Sequence, residues 1–281
     1  MIGFSCADYA WPLLRHGTVM QIVSDLGFTG LDVAVFGDNT HVTVSDVVER
    51  PEERAAQLAT AAAEHGLVVA DVFLTAHYYA LDRLSPTSRH GDDVEVLQGI
   101  YHATAAFAAE AGSRGITLLP GVIEEGLSRA EAFARSAESL SSFVEIAARR
   151  DLSVSVEPHL GSLIPEPDDI LELLEMVPGL TLTLDPAHLV FQGGTVEQIL
   201  PLVPATRHLQ ARFGGVGVMQ SRRVDNRIDY ETLVRGMMAG GYDGWLAAEF
   251  VWMAKWDCDR VDNTAESAAM LDYLREIVAS G

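Results

Sequence analysis

Eight times along the chain a short apolar run gives way to a longer stretch with helical spacing, and this alternation restricts the fold more than any other feature. The runs cover residues 2–6, 30–35, 68–74, 115–119, 152–157, 180–185, 206–211 and 245–250. They are continuous rather than alternating, as parallel strands covered on both faces must be. The spacing predicts helices over 18–26, 51–65, 94–111, 129–149, 167–176, 195–202, 230–240 and 264–278. Pro51 fits a first helical turn, and Gly66, Gly112 and Gly240 stand where left-handed caps end helices. Eight βα units in roughly 250 residues have the size and order of an α/β fold of the (β/α)8 barrel type. A doubly wound open sheet is the competitor, since periodicity does not show closure. The phrases DLGFTGLDVA and MAGGYDGWLAAEF both read as helix end, Gly-aromatic turn and strand, so the unit recurs at both ends of the chain. No Pro/Gly/Ser linker interrupts the pattern, which assigns residues 1–281 to one domain.

Four polar side chains close the last four strand-like runs: Glu157, Asp185, Gln210 and Glu249. A charge at the end of a buried strand costs free energy unless something pairs with it. Three converging carboxylates repel one another, and a divalent cation is the economical reason for the set. In a barrel, strand C-termini converge on one face, which is where chemistry sits. Four oxygen donors there suit a hard ion such as Mn2+ or Mg2+.

Histidines accompany the set. His159 follows Glu157 by two residues, and His208 precedes Gln210 by two, which makes it the most structural of the group. His188, three after Asp185, has a loop position suited to touching substrate or ligating metal. Arg212 suits a substrate hydroxyl or carboxylate, or equally a surface ion pair. Trp11, Phe36, Trp252 and Trp256 stand beyond strand ends, where rings stack on sugar CH faces or act as lid and core. The segment 213–229 is the longest irregular stretch near this end of the barrel, and long loops after barrel strands usually serve function. No P-loop, dinucleotide fingerprint or G-x-S-x-G is present.

Bulk properties exclude some classes of function. With 19 basic and 40 acidic residues the net charge is −21, a field that repels phosphate backbones and anionic lipid surfaces. Nucleic acid and membrane are therefore not expected partners. Two cysteines, Cys6 and Cys258, lie far apart without a CxxC, which suits a reducing compartment. The N-terminal MIGFSCADYAW lacks a signal-peptide pattern, and no stretch approaches the roughly 20 apolar residues of a membrane span. A cytoplasmic location is expected.

The E-x-H of Glu157–His159, the D-x-x-H of Asp185–His188, the H-x-Q of His208–Gln210 and the final AEF with Glu249 resemble the xylose isomerase-like TIM-barrel superfamily of sugar isomerases and epimerases. The resemblance covers nearly the whole chain. It implies an ion, Mn2+ or else Mg2+ or Co2+, with Glu157 and Glu249 as ligands and proton-transfer groups, Asp185 as ligand and His188 as substrate contact. It also implies a ligand histidine where Gln210 stands, so either Gln210 coordinates through its carbonyl oxygen or His208 or His159 substitutes. The segment EFVWMAKWDCDRVDN resembles the larger subunit of bacterial C-glycoside deglycosidases, lyases of 3-oxo glycosides with a small partner subunit. The expected ligand is a small-molecule sugar or oxo-glycoside, with His188, Arg212, His159, Trp11 and Trp252 as its contacts. A homo-oligomer and a small partner subunit both stay open. Apurinic endonucleases share the barrel and the D-x-x-H, but the charge of −21 disfavours a nucleic-acid substrate. A non-catalytic sugar- or metal-binding module is the remaining alternative, although binding alone needs no opposed carboxylates.

Overall fold

The computed structural model describes residues 1–77, 81–88 and 91–281. Eight parallel strands pair in sequence order, and β8 returns to β1, so the sheet is a closed barrel rather than an open one. The strands are β1 Gly3–Ala7, β2 Gly30–Phe36, β3 Val68–Thr75, β4 Gly115–Leu118, β5 Ser153–Val156, β6 Thr181–Leu184, β7 Thr206–Ala211 and β8 Trp245–Ala248. Helices ring them: α1 His16–Asp25, α2 Val44–Glu49, α3 Pro51–Glu64, α4 Gly91–Glu110, α5 Arg129–Ala148, α6 Pro167–Met176, α7 Pro186–Phe191, α8 Val196–Ile199, α9 Tyr230–Ala239 and α10 Asn263–Ala279. Each strand's apolar run is buried between barrel interior and helices, which is why the runs are continuous in sequence. Among the described residues no helix is long and apolar enough to cross a membrane. Both cysteines are buried and unpaired.

Two local predictions are corrected. The helix expected over 195–202 is α-helical only through Ile199 and continues as a 3-10 segment, Leu200–Ala205, because Pro201 has no N–H to extend the ladder. The left-handed residue after α9 is Gly241 (φ 80°), whereas Gly240 stays right-handed; Gly66 and Gly112 do take positive φ. Two short helices carry no periodic signal of sufficient length. α2 is set by a capping box between Thr43 and Asp46, and α7 by Asp185, whose Oδ1 accepts the Ala187 N–H at 2.9 Å.

The barrel interior is polar below the site. A bulge in the β6–β7 pairing sets Leu182 opposite Thr206 and Thr183 opposite His208, leaving Arg207 as the extra residue. Its guanidinium reaches across the barrel to Asp71 on β3 (2.7 Å) and Ser155 on β5 (2.7 Å). Gly115 makes room for this crossing, since a Cβ there would lie 2.0 Å from the Arg207 Nη1. His208 meets Asp32 of β2 at 2.6 Å, fully buried, in the structural place the sequence suggested for it.

Candidate active site

Glu157 and Glu249 lie one residue beyond β5 and β8, and their amides still bond the neighbouring strands, to Leu118 at 3.0 Å and Ala211 at 2.9 Å. Asp185 caps α7, which pins one of its oxygens and leaves the other facing the barrel mouth. All three carboxylates are buried. The barrel end thus brings Glu157, Asp185, His188, Gln210, Arg212 and Glu249 together.

Arg212 is not at the surface. It is 4% exposed, and its Nη2 donates to both Asp185 Oδ2 and Glu249 Oε2. Tyr230 holds the Arg212 backbone, its hydroxyl accepting from the amide at 3.0 Å and donating to the carbonyl at 2.7 Å. The other Glu249 oxygen accepts from the Tyr9 hydroxyl at 2.7 Å, and Gln210 Nε2 donates to the same hydroxyl at 3.3 Å. Tyr9 and Tyr230 are site residues that the strand-end argument did not supply, although Tyr9 stands just past β1 and was open to the same reasoning.

His188 Nε2 faces Glu157 Oε1 at 3.2 Å and Asp185 Oδ2 at 3.4 Å. Its Nδ1 accepts the Leu160 N–H at 3.2 Å, so a neutral ring carries its hydrogen on Nε2 and offers it toward the carboxylates. Burial lowers the His188 pKa to about 4, which keeps the ring neutral. His159 is likewise lowered to about 4, by burial and then by His188, with ring centroids 4.2 Å apart. Its Nδ1 bonds the Leu160 carbonyl at 2.9 Å, which puts the hydrogen on Nδ1 and leaves Nε2 as an acceptor.

The carboxylates titrate apart. Burial pushes Glu157 up to about 7, and burial raises Glu249 well above the ordinary carboxylate range. Burial also acts on Asp185, but the Arg212 guanidinium, His188 and the Ala187 N–H outweigh it and hold the group below its usual value. With all three carboxylates ionised and one guanidinium the formal charge is −2, and a divalent cation offsets that charge and favours the ionised form of the glutamates. Among the described residues, both oxygens of Glu157 and the Oε1 of Gln210 are buried without a hydrogen-bond partner. Orphaned oxygens next to Asp185 are the donors a hard divalent ion satisfies, so the residues present fit such an ion. Ligand-type atoms of Glu157, Asp185 and His188 lie within 4.8 Å of one another. A second such group, Asp8, His16 and His41, has its two rings stacked 4.5 Å apart at 11°. His16 Nε2 lies 3.0 Å and His41 Nδ1 4.0 Å from Asp8 Oδ2, and among the described residues neither Asp8 Oδ2 nor His16 Nε2 has a hydrogen-bond partner.

Of the aromatics, Trp256 is the one against the site, 5.7 Å from His159 and 6.3 Å from His188 between centroids. Trp11 and Trp252 border a separate hollow of about 310 Å³ beside it, with Trp252 51% exposed and Trp11 donating to Thr264 at 3.0 Å. Phe36 packs on Tyr9 at 5.2 Å.

A family model for the xylose isomerase-like TIM barrel matches residues 20–276. No curated protein matches the chain. Among solved structures, a D-tagatose 3-epimerase-like protein is 18% identical, with 99% of each chain covered and a TM-score of 0.76. An L-ribulose 3-epimerase is 16% identical over 100% of this chain and 95% of its own, with a TM-score of 0.76. A 3-keto-D-glucoside 4-epimerase from E. coli is 15% identical over 98% of this chain and 100% of its own, with a TM-score of 0.70. At these identities the likeness is one of fold.

Proposed function

The chain belongs to the xylose isomerase-like TIM barrel family, and on that premise we propose that it is a divalent-metal-dependent sugar isomerase or epimerase that removes a proton beside a carbonyl. The observation that carries this reading is the pair of buried glutamates with raised pKa values at the two ends of one contact chain, Glu157–His188–Asp185–Arg212–Glu249. Glu157, pushed up to about 7, both takes and returns protons near neutral pH, as a general acid–base must, and burial raises Glu249 in the same direction. One glutamate removes the proton and the other returns it. Return to the opposite face of the same carbon gives epimerisation, and return to the neighbouring carbon gives isomerisation.

Glu157, Asp185 and Gln210, with Glu249 if Arg212 releases it, would hold Mn2+, Mg2+ or Co2+, which would supply electrophilic stabilisation of the developing enediolate. Arg212 contributes a fixed positive charge, and its buried Nε–H, which has no acceptor among the described residues, is available to a substrate oxygen. His188 offers Nε2–H, and His159 offers an acceptor at Nε2. Tyr9 fixes the orientation of Glu249 and carries a hydroxyl whose burial raises its pKa well above the ordinary phenol, so it stays protonated as a donor.

The same first step serves a lyase of 3-oxo glycosides, in which the second glutamate protonates a departing aglycone. Incubation of metal-supplied protein in D2O with a panel of ketoses and 3-oxo glycosides separates the outcomes, because the carbon that exchanges names the reaction. Absence of exchange at every carbon of every substrate that binds would leave a sugar-binding module and remove the enzyme reading.

A further inference from the structure

The segment after β8 carries a basic residue unlike every other in the chain. Lys255 is the only lysine; the remaining 18 of the 19 basic residues are arginines. Arginine is this protein's ordinary surface cation, and lysine differs from it in being a compact point charge on a flexible stem. Gln220 anchors the segment at two points. Its Nε2 donates to the carbonyls of Val251 (3.0 Å) and Cys258 (2.7 Å), and its Oε1 accepts the Val251 N–H (2.8 Å). Between these anchors Trp256 and Asp257 both adopt φ of 57°, a left-handed conformation that bulky residues hold only where surrounding contacts enforce it.

That backbone turns Trp256 onto His159, His188 and Phe191, at centroid distances of 5.7, 6.3 and 6.5 Å. Lys255 Nζ lies 4.2 Å from the centroid of the Trp256 ring. The neighbouring Asp257 is drawn to Arg260 at 2.8 Å, and among the described residues Lys255 has no carboxylate partner. Glu157, Asp185 and His188 are at most 1% exposed, and of the three His188 is the one packed against the Trp256 ring, so this segment covers part of the site.

We propose that residues 252–257 form a lid that senses substrate charge: Lys255 pairs with a carboxylate or phosphate on the sugar while Trp256 closes over the histidines. The proposal rests on the reading that a sugar binds beside Glu157 and Glu249, and adds to it an anionic substrate. A chain with a net charge of −21 repels such a solute, so an anionic sugar needs a dedicated, unpaired cation at the mouth. Free in solution, that cation waits on an aromatic face instead of on an acid.

The single lysine makes the test direct, because Lys255 carries the only side-chain amine in the sequence. Manganese-supplied protein is acetylated alone, with D-fructose, with D-fructose 6-phosphate or with D-gluconate, and Lys255 modification is followed by peptide mass spectrometry against Met1. Slowing by several-fold with the phosphate or the carboxylate sugar, and not with D-fructose, is expected, and the arm that protects names the group recognised. Lys255→Met is expected to weaken binding of the protecting sugar roughly tenfold or more, the scale of a hydrogen bond to a charged group, and Lys255→Arg to restore part of it. Trp256→Gly, which suits the left-handed backbone, is expected to speed acetylation of Lys255 in the free protein. Protection by D-fructose equal to that by the anionic sugars, or protection by none, overturns the lid as a charge sensor. Neither result depends on turnover, so the sugar-isomerase reading is judged separately by exchange in D2O.

Discussion

Glu157 and Glu249 are the same residue type at matching strand ends, yet their surroundings differ. Both Glu157 oxygens are unpartnered, while Glu249 is held by Tyr9 on one oxygen and Arg212 on the other. Glu157→Gln and Glu249→Gln are each expected to lower the rate about 10²-fold or more, the usual scale of general acid–base catalysis. Metal content is measured alongside, and near-normal turnover in either variant removes that residue from the chemistry. The raised pKa of Glu157 also has a stability consequence in metal-free protein. Its carboxyl titrates at about 7 when folded against a reference of 4.5, so across that interval the native state holds more protons than the unfolded one. The sign is therefore negative: stability falls as pH rises from the unfolded value through the folded one. Metal-free wild type is expected to melt at lower temperature near pH 8 than near pH 5, with a smaller drop in Glu157→Gln; equal drops in the two proteins would contradict the assignment. Gln210 gives a third residue-level expectation. Its orphaned Oε1 is a hard donor, so Gln210→Leu should lose metal affinity, whereas Gln210→His should keep an ion and shift preference toward softer metals. Metal titration that shows no change in Gln210→Leu would take this side chain out of the donor set.

At the scale of elements, a bulge decides what the barrel interior contains. Arg207 is the residue β7 has in excess over β6, and it crosses to Asp71, whose carboxyl is buried and raised in pKa by that burial while the guanidinium pulls it back. Removing one partner of such a pair leaves the other uncompensated, at a cost of about 3–5 kcal/mol. Arg207→Met is expected to lower the denaturant midpoint, with Arg207→Met combined with Asp71→Asn recovering much of the loss; a single variant as stable as wild type would show the pair to be incidental. The bulge was invisible in the sequence, where TRHLQAR reads as one uninterrupted run. Strand order and the acids at the strand ends were legible, because a buried parallel strand is a continuous apolar run and a carboxylate directly after one stands out. α2 and α7 were not, since helices of 6 residues show no period and are set by caps. Tyr9 was missed as a site residue for a different reason, and Trp256 was one of four rings beyond strand ends with nothing to single it out. The Tyr9 bond to Glu249 spans 240 positions and exists only once the barrel closes, and Trp256 reaches the histidines only through two left-handed residues that no local preference predicts. Gln210 and Arg212 could be placed at the mouth from their strand, but the burial of Arg212 between two acids depends on Tyr230 holding its backbone.

For the whole molecule the acidic excess and the site act in the same direction. A net charge of −21 concentrates cations near the surface, and three buried carboxylates are gathered at one barrel end. The acids follow β5, β6 and β8, and Asp185 joins Glu249 through Arg212, so an ion at the mouth would link the ends of three strands rather than one loop. An ion bound only by the folded barrel stabilises it by mass action, and the gain grows with the logarithm of ion concentration once the site is saturated, reaching about 2.7 kcal/mol at 100 times the dissociation constant. Chelation is therefore expected to abolish turnover and to lower the melting temperature, and stepwise return of Mn2+ to raise the melting temperature in proportion to the logarithm of free ion. Glu157→Gln should blunt that rise, because it removes charge from the one carboxylate with two free oxygens. Differential scanning calorimetry with elemental analysis of the same samples tests the point. An active preparation without a stoichiometric divalent ion would show that Arg212 and the neutral histidines suffice to hold the carboxylates together, and that the charge deficit of the site is met by protonated glutamates instead of a metal.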